Sequence, residues 1–161
     1  GNKKFFKLPK PIIKRGGCNM SFAGLKTAVL IISKKLKNQE EKYHLAASFQ
    51  KTINEILHEK TKVAMKEFLK NKNNKKNTFV IAGGVASNLS IRENLTKLSV
   101  EKNFVAVFPP VNLCSDNAAM IAWAGIERYK INLINNLEFP SQARWPLDKS
   151  APFLKGPGLK F

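Results

Sequence analysis

The chain has 161 residues, 43% of them apolar, and a formal net charge of +17 from 28 Lys and Arg against 11 Asp and Glu. That length and apolar share suit one compact domain with its own core. No apolar run approaches the roughly 18–20 residues needed to span a bilayer, and Gly1-Asn2-Lys3-Lys4 does not open a secretory signal. A cytoplasmic protein without membrane association is expected. The sequence does not begin with Met, so Gly1 is expected to be a tag scar or the first residue of an excised piece.

Cys18 and Cys114 lie far apart, with no CxxC spacing and no nearby His pair. This argues against a zinc knuckle and a disulfide framework, and for free thiols in a reducing compartment. The basic surplus suits a polyanion such as RNA. It is also what AT-rich coding produces, because the surplus is almost all Lys and Asn is abundant, whereas phosphates held bidentately call for Arg. Charge alone leaves both readings open.

Along the chain, residues 1–20 carry Pro9, Pro11 and Gly16-Gly17, which reads as irregular structure broken by turns. Leu25, Ala28, Val29 and Ile32 repeat at helical spacing, with Ser21 or Gly24 to open the helix. Residues 40–70 form the clearest helix. Leu45, Phe49, Ile53, Ile56 and Leu57 share a face continued by Val63, Ala64 and Phe68. Glu40 and Glu41 stand early and Lys60, Lys62, Lys66 and Lys70 late, as the helix dipole prefers, with most of these lysines expected in solvent. A Lys/Asn connection over 71–77 precedes a strand at 78–82 that Gly83-Gly84 stops. A helix follows from about Ser87 to Glu101, with Leu89, Ile91, Leu95 and Leu98 inward. A strand over 104–108 ends at Pro109-Pro110, and a helix over 116–130 turns Ala119, Met120, Trp123 and Ile126 inward. Strand, helix, strand, helix is an α/β order. Residues 1–140 are expected as one lobe and 141–161 as an extended Pro/Gly-rich tail.

Two segments offer chemistry. In Ala82-Gly83-Gly84-Val85-Ala86-Ser87-Asn88, the glycines permit positive φ and close approach of a ligand to the backbone. The helix after them presents free N–H groups to phosphate or ribose oxygens, and Asn88 offers both a donor and an acceptor. The plainer reading is a tight turn capped by Ser87 or Asn88. In Pro109 to Met120, Asp116 precedes an apolar helix and reads as an N-cap or as one oxygen ligand of a divalent ion. One carboxylate does not hold a metal. His44 and His58, 14 residues apart on a helix already explained by packing, make a poor ligand pair.

These residues together resemble a known family. Ala82 to Asn88 with Arg92, and Phe108-Pro109-Pro110 through Asp116-Asn117-Ala118-Ala119-Met120-Ile121-Ala122, look like the two closing motifs of the TsaD/Gcp (Kae1/OSGEP-type) tRNA N6-adenosine threonylcarbamoyltransferases. Ser21-Phe22-Ala23-Gly24-Leu25-Lys26-Thr27 resembles that family's Phe-Ser-Phe-Ser-Gly-Leu-Lys-Thr segment, and Arg144-Trp145-Pro146-Leu147 its C-terminal signature. Met20 stands where Phe is usual and Ala23 replaces a Ser, both packing details. The His-x-x-x-His motif and glycine-bearing nucleotide loop with which family members begin are not in this sequence.

The resemblance implies an actin-like, Hsp70-like, sugar-kinase (ribonuclease H-like) fold of two lobes, of which this is mostly the second. It implies transfer of threonylcarbamoyl from threonylcarbamoyl-AMP, itself made with ATP, to N6 of adenosine 37 in tRNAs reading ANN codons. By similarity Gly83, Gly84 and Asn88 bind the adenylate and Asp116 ligates a metal, iron preferred and zinc possible. The diglycine turn and the aspartate loop would then converge on one interlobe cleft. No residue is assigned as a covalent catalyst. Expected partners are tRNA and TsaB-like and TsaE-like proteins. The alternative is that this piece alone is a non-catalytic nucleotide- or RNA-binding half. A peptidase finds no HExxH or Ser/His/Asp pattern, and a small-molecule kinase shares only the fold.

Overall fold

The structure is a computed structural model that describes residues 1–70 and 76–141. It divides into two compact units, Gly1–Asn117 and Ala118–Phe161. Residues 71–75 of the Lys/Asn connection, and the tail from 142 with the Arg144–Leu147 block, lie outside the described residues.

The first unit is α/β. An irregular segment leads into α1 (Ala23–Ser33) and α2 (Gln39–Phe68), followed by β1 (Thr78–Val80), α3 (Leu89–Glu101) and β2 (Val105–Val107). Single 3-10 turns at Gly84–Ser87 and Val111–Leu113 follow the two strands. The strands pair in parallel, Phe79 opposite Ala106 and Val80 opposite Val107. Joining parallel strands needs a crossover, and α3 supplies it.

Helix α2 is the organising element. Asn38 caps it by accepting from the Glu41 N–H at 2.9 Å, and Glu40 and Glu41 occupy its first turn. It buries side chains in two directions rather than one. Leu45 and Ile56 join Leu8 and Leu25 in a cluster with the N-terminal segment and α1. Met65 joins Ile91, Leu95, Leu98 and Phe104 in a second cluster under the sheet, and Ile53 touches both. A helix packed on two sides needs apolar residues beyond a single stripe, which the run from Leu45 to Met65 provides.

Four expectations from the sequence are corrected. Neither Ser21 nor Gly24 opens α1; the cap position is Phe22, with no side-chain cap bond. Lys60 is not in solvent but 1% exposed, its Nζ donating to the carbonyls of Arg15 at 2.7 Å and Gly17 at 3.1 Å. Those carbonyls lie in a turn without a ladder of its own, and a lysine tip is what satisfies them. Phe49 and Phe68 sit at the rim of α2 and are each about two-fifths exposed. Leu89, the first residue of α3 after its Asn88 cap, is 74% exposed rather than inward.

The second unit contains α4 (Ala118–Lys130). Periodicity turns Ala119, Met120, Trp123 and Ile126 inward, yet no residue of α4 is buried among the described residues. Within its own unit the described chain after Lys130 forms no second helix or strand to cover that face. No helix of the described residues is long and apolar enough to cross a membrane.

Candidate functional site

Parallel pairing puts the ends of β1 and β2 side by side, so the loops that leave them start from the same edge of the sheet. The ladder extends one step past β1, where the Ile81 N–H donates to the Val107 carbonyl at 3.0 Å. Two residues later come Gly83-Gly84, and two residues after Val107 come Pro109-Pro110. The carboxyl edge of a parallel sheet is where open α/β folds bind ligands.

Gly83 has φ +84° and ψ 173°, a backbone combination essentially confined to glycine. Its carbonyl accepts from the Ala86 N–H at 2.9 Å, closing the turn. Gly84 is different. Its φ is not in the left-handed region, and a Cβ there would meet nothing within 4 Å among the described residues. The fold therefore accounts for glycine at 83 and not at 84.

Asn88 caps α3, its Oδ1 accepting from the Ile91 N–H at 3.1 Å, while Nδ2 donates to Gln50 Oε1 at 2.8 Å. Both capping and presentation to a ligand are compatible, since one N–H and one lone pair of the amide remain. The network continues from Gln50 Nε2 to Asn54 Oδ1 at 3.1 Å and from Asn54 Nδ2 to Ser90 Oγ at 2.8 Å, tying α2 to α3. A concavity of about 410 Å³ lies between these elements, lined by Phe49, Gln50, Ile53, Gly84, Val85, Ser87, Asn88 and Ile91. That volume suits a small ligand. Sequence reasoning missed Gln50. Its signal was a polar i, i+4 pair, Gln50 and Asn54, on a helix face otherwise holding Ile53 and Leu57. Residues Gly83 and Gly84 are not at the α3 N-terminus directly, because the 3-10 turn intervenes.

The two loops are joined by one side chain. Arg92 Nε donates to the Ala86 carbonyl, and its Nη2 donates to the Pro109 carbonyl at 2.7 Å and lies 3.1 Å from Cys114 Sγ. The guanidinium also stacks over the Phe108 ring, 4.9 Å from its centroid. Cys114 is buried and Cys18 exposed, both free thiols. Asp116 is exposed near the end of the Pro109–Asn117 loop and does not line the 410 Å³ concavity. Among the described residues no three His, Cys, Asp or Glu gather as a metal would require. His44 is occupied with packing, its Nδ1 accepting from the Asn2 N–H at 3.0 Å and its ring against Phe5. Among the described residues, no two further His, Cys, Asp or Glu side chains join Asp116 in such a group.

A parallel sheet edge with two loops clamped by a shared arginine, beside a largely apolar concavity, is the α/β arrangement in which open sheets place their ligand sites. A family model described as "TsaD: tRNA N6-adenosine threonylcarbamoyltransferase" matches residues 1–123. The protein of Pelagibacter ubique (strain HTCC1062) so named is 58% identical over 160 residues, covering 99% of this chain and 45% of that relative. The Zymomonas mobilis protein of the same name is 44% identical over 160 residues, 99% of this chain and 43% of its own. That of Rickettsia canadensis is 48% identical over 152 residues, 92% and 44%. The chain belongs to the tRNA N6-adenosine threonylcarbamoyltransferase family. It spans less than half the length of these curated relatives.

Proposed function

We propose that this chain is the second lobe of a cytoplasmic tRNA N6-adenosine threonylcarbamoyltransferase of the actin-like, Hsp70-like, sugar-kinase fold. The observation that supports it most is the Arg92 clamp, which couples the diglycine turn to the loop leading to Asp116 at one edge of a parallel sheet. In this reading Gly84 lets the adenylate approach the backbone, Gly83 holds the turn open, and Asn88 supplies a donor and an acceptor. Asp116 contributes one ligand to a metal, iron by preference or zinc, whose other donors come from outside this chain. When bound, the metal supplies Lewis-acid polarisation.

The reaction forms a bond from N6 of adenosine 37 to the carbamoyl carbon and breaks the bond from that carbon to the AMP oxygen. N6 gives up a proton and AMP leaves. The residues of this lobe act by positioning, which converts an encounter of two substrates into a reaction within one complex. TsaB-like and TsaE-like proteins complete the system. The lobe alone, without the remaining donors, has no turnover.

The test is the complete gene product incubated with those partners, ATP-derived threonylcarbamoyl-AMP and tRNA. Threonylcarbamoyladenosine at position 37 is expected by nucleoside mass spectrometry. Asp116→Ala is expected to lose bound metal by elemental analysis; unmodified tRNA from the wild-type system would overturn the reading.

A further inference from the structure

We propose that the basic groove between the N-terminal segment and α2 binds the phosphate backbone of RNA, on the face of α2 opposite the diglycine concavity. The proposal rests on the reading that tRNA is the substrate, and adds a surface to it. The groove encloses about 790 Å³. Six of its lining residues between Lys3 and Arg15 are basic, Lys51 of α2 adds a seventh, and Glu55 is the one carboxylate among them. Glu55 is already neutralised by Lys10 at 2.6 Å and Lys51 at 3.6 Å. Lys3, Lys4, Lys7, Lys14 and Arg15 have no carboxylate partner among the described residues.

Coding bias does not explain this arrangement. Residues 1–39 contain ten Lys and Arg and no Asp or Glu, although eleven acidic residues occur from Glu40 onward. A bias that exchanges Arg for Lys neither removes carboxylates nor gathers lysines around one concavity. A block of one sign is the footprint of a polyanion partner.

The groove is also held in shape, which lowers the ordering cost of binding. The Phe6 N–H donates to Ser48 Oγ at 3.2 Å, and Ser48 Oγ donates to the Asn2 carbonyl at 3.4 Å. Leu8 is buried against α2, and the buried Lys60 pins the carbonyls of Arg15 and Gly17. A segment with no helix or strand of its own is thus fixed at both ends. Lysine point charges along a concave track suit a phosphate backbone, which repeats its charge, better than a flat bilayer or a single carboxylate.

Helix geometry separates this groove from the first concavity. At 100° per residue, Phe49, Gln50 and Ile53 point to one side of α2, and Lys51, Thr52 and Glu55 to nearly the opposite side. RNA in the groove would run about one helix diameter, roughly 10 Å, from the diglycine turn.

The experiment uses the complete gene product and unmodified tRNA, comparing wild type with the fourfold variant Lys3→Ala, Lys4→Ala, Lys7→Ala, Lys14→Ala. The variant is expected to bind at least tenfold more weakly, with the slope of log affinity against log salt smaller by about 0.9 for each phosphate no longer neutralised. Adenylate affinity and thermal midpoint should stay at wild-type values. A control with Lys97→Ala and Lys130→Ala, whose lysines pair with Glu93 and Glu127, should change tRNA affinity less than twofold. Wild-type affinity and slope in the fourfold variant overturn the proposal, including the case where the variant instead loses an acidic protein partner. A wild-type protein that neither binds nor modifies tRNA refutes the proposed function itself, a separate outcome.

Discussion

Arg92 donates across 2.7 Å to the carbonyl of Pro109, 17 residues further along the chain, and so joins the two loops at the sheet edge. With its bond to Ala86 and its place over Phe108, next to Pro109, the guanidinium bridges the two segments at once. Lysine carries the charge and lacks the planar fork. Arg92→Lys is therefore expected to destabilise the complete protein by about 2–3 kcal/mol, given that hydrogen bonds to charged groups contribute about 1.5–3 kcal/mol each. Amide exchange should rise in both the 83–88 and 109–116 loops. Faster exchange in only one loop would mean the arginine does not couple them.

Lys60 is the second fixed point. Its replacement by Met preserves the stem and strands two carbonyls, so a loss of about 2 kcal/mol is expected in urea unfolding. A change below about 0.5 kcal/mol, the size of an ordinary surface substitution, would show that the Arg15–Gly17 turn finds other partners.

Asn88 serves the fold and, in the proposed function, the ligand. Asn88→Ala removes the α3 cap and should cost about 1 kcal/mol. Asn88→Asp keeps a capping oxygen and loses the donor to Gln50, so it should unfold near the wild-type midpoint yet bind adenylate more weakly. Equal destabilisation by both substitutions would leave only the structural role.

Glu93 titrates below the usual carboxylate value because Lys97 donates to it at 2.6 Å, the Coulombic attraction of the same lysine adding to that bond. A depressed folded value means the pair's contribution is present above the unfolded value, near pH 4.3, and fades as the pH falls through the folded one. Lys97→Ala should move the Glu93 resonance titration upward by NMR. An unmoved titration would assign the shift to another group.

Much of the first unit was legible because its signals are local. Apolar periodicity marked α2 and α3, and strand formers stopped by glycine or proline marked β1 and β2. The diglycine turn was legible as well, whereas the roles given to Asn88 and Asp116 came from the likeness of two separate segments to family motifs and belong to the proposed function. What escaped reading depended on long-range partners. Lys60 looks like any surface lysine until a turn 43–45 residues earlier in the chain folds onto it. Gln50 acquires meaning only when Asn88 arrives from the other side of β1. The inward face of α4 was inferred from periodicity, which reports an apolar stripe and not what covers it.

Gly84 gives the most direct measure of the central claim, because among the described residues nothing within 4 Å opposes a methyl group there. Gly84→Ala should leave the thermal midpoint unchanged or slightly raised, as removing a glycine restricts the unfolded chain. Calorimetric titration of threonylcarbamoyl-AMP into the complete protein should then show affinity reduced at least tenfold, the added methyl occupying the path of the ligand. Wild-type affinity in that variant, with the fold intact, would mean that the adenylate does not lie against this turn.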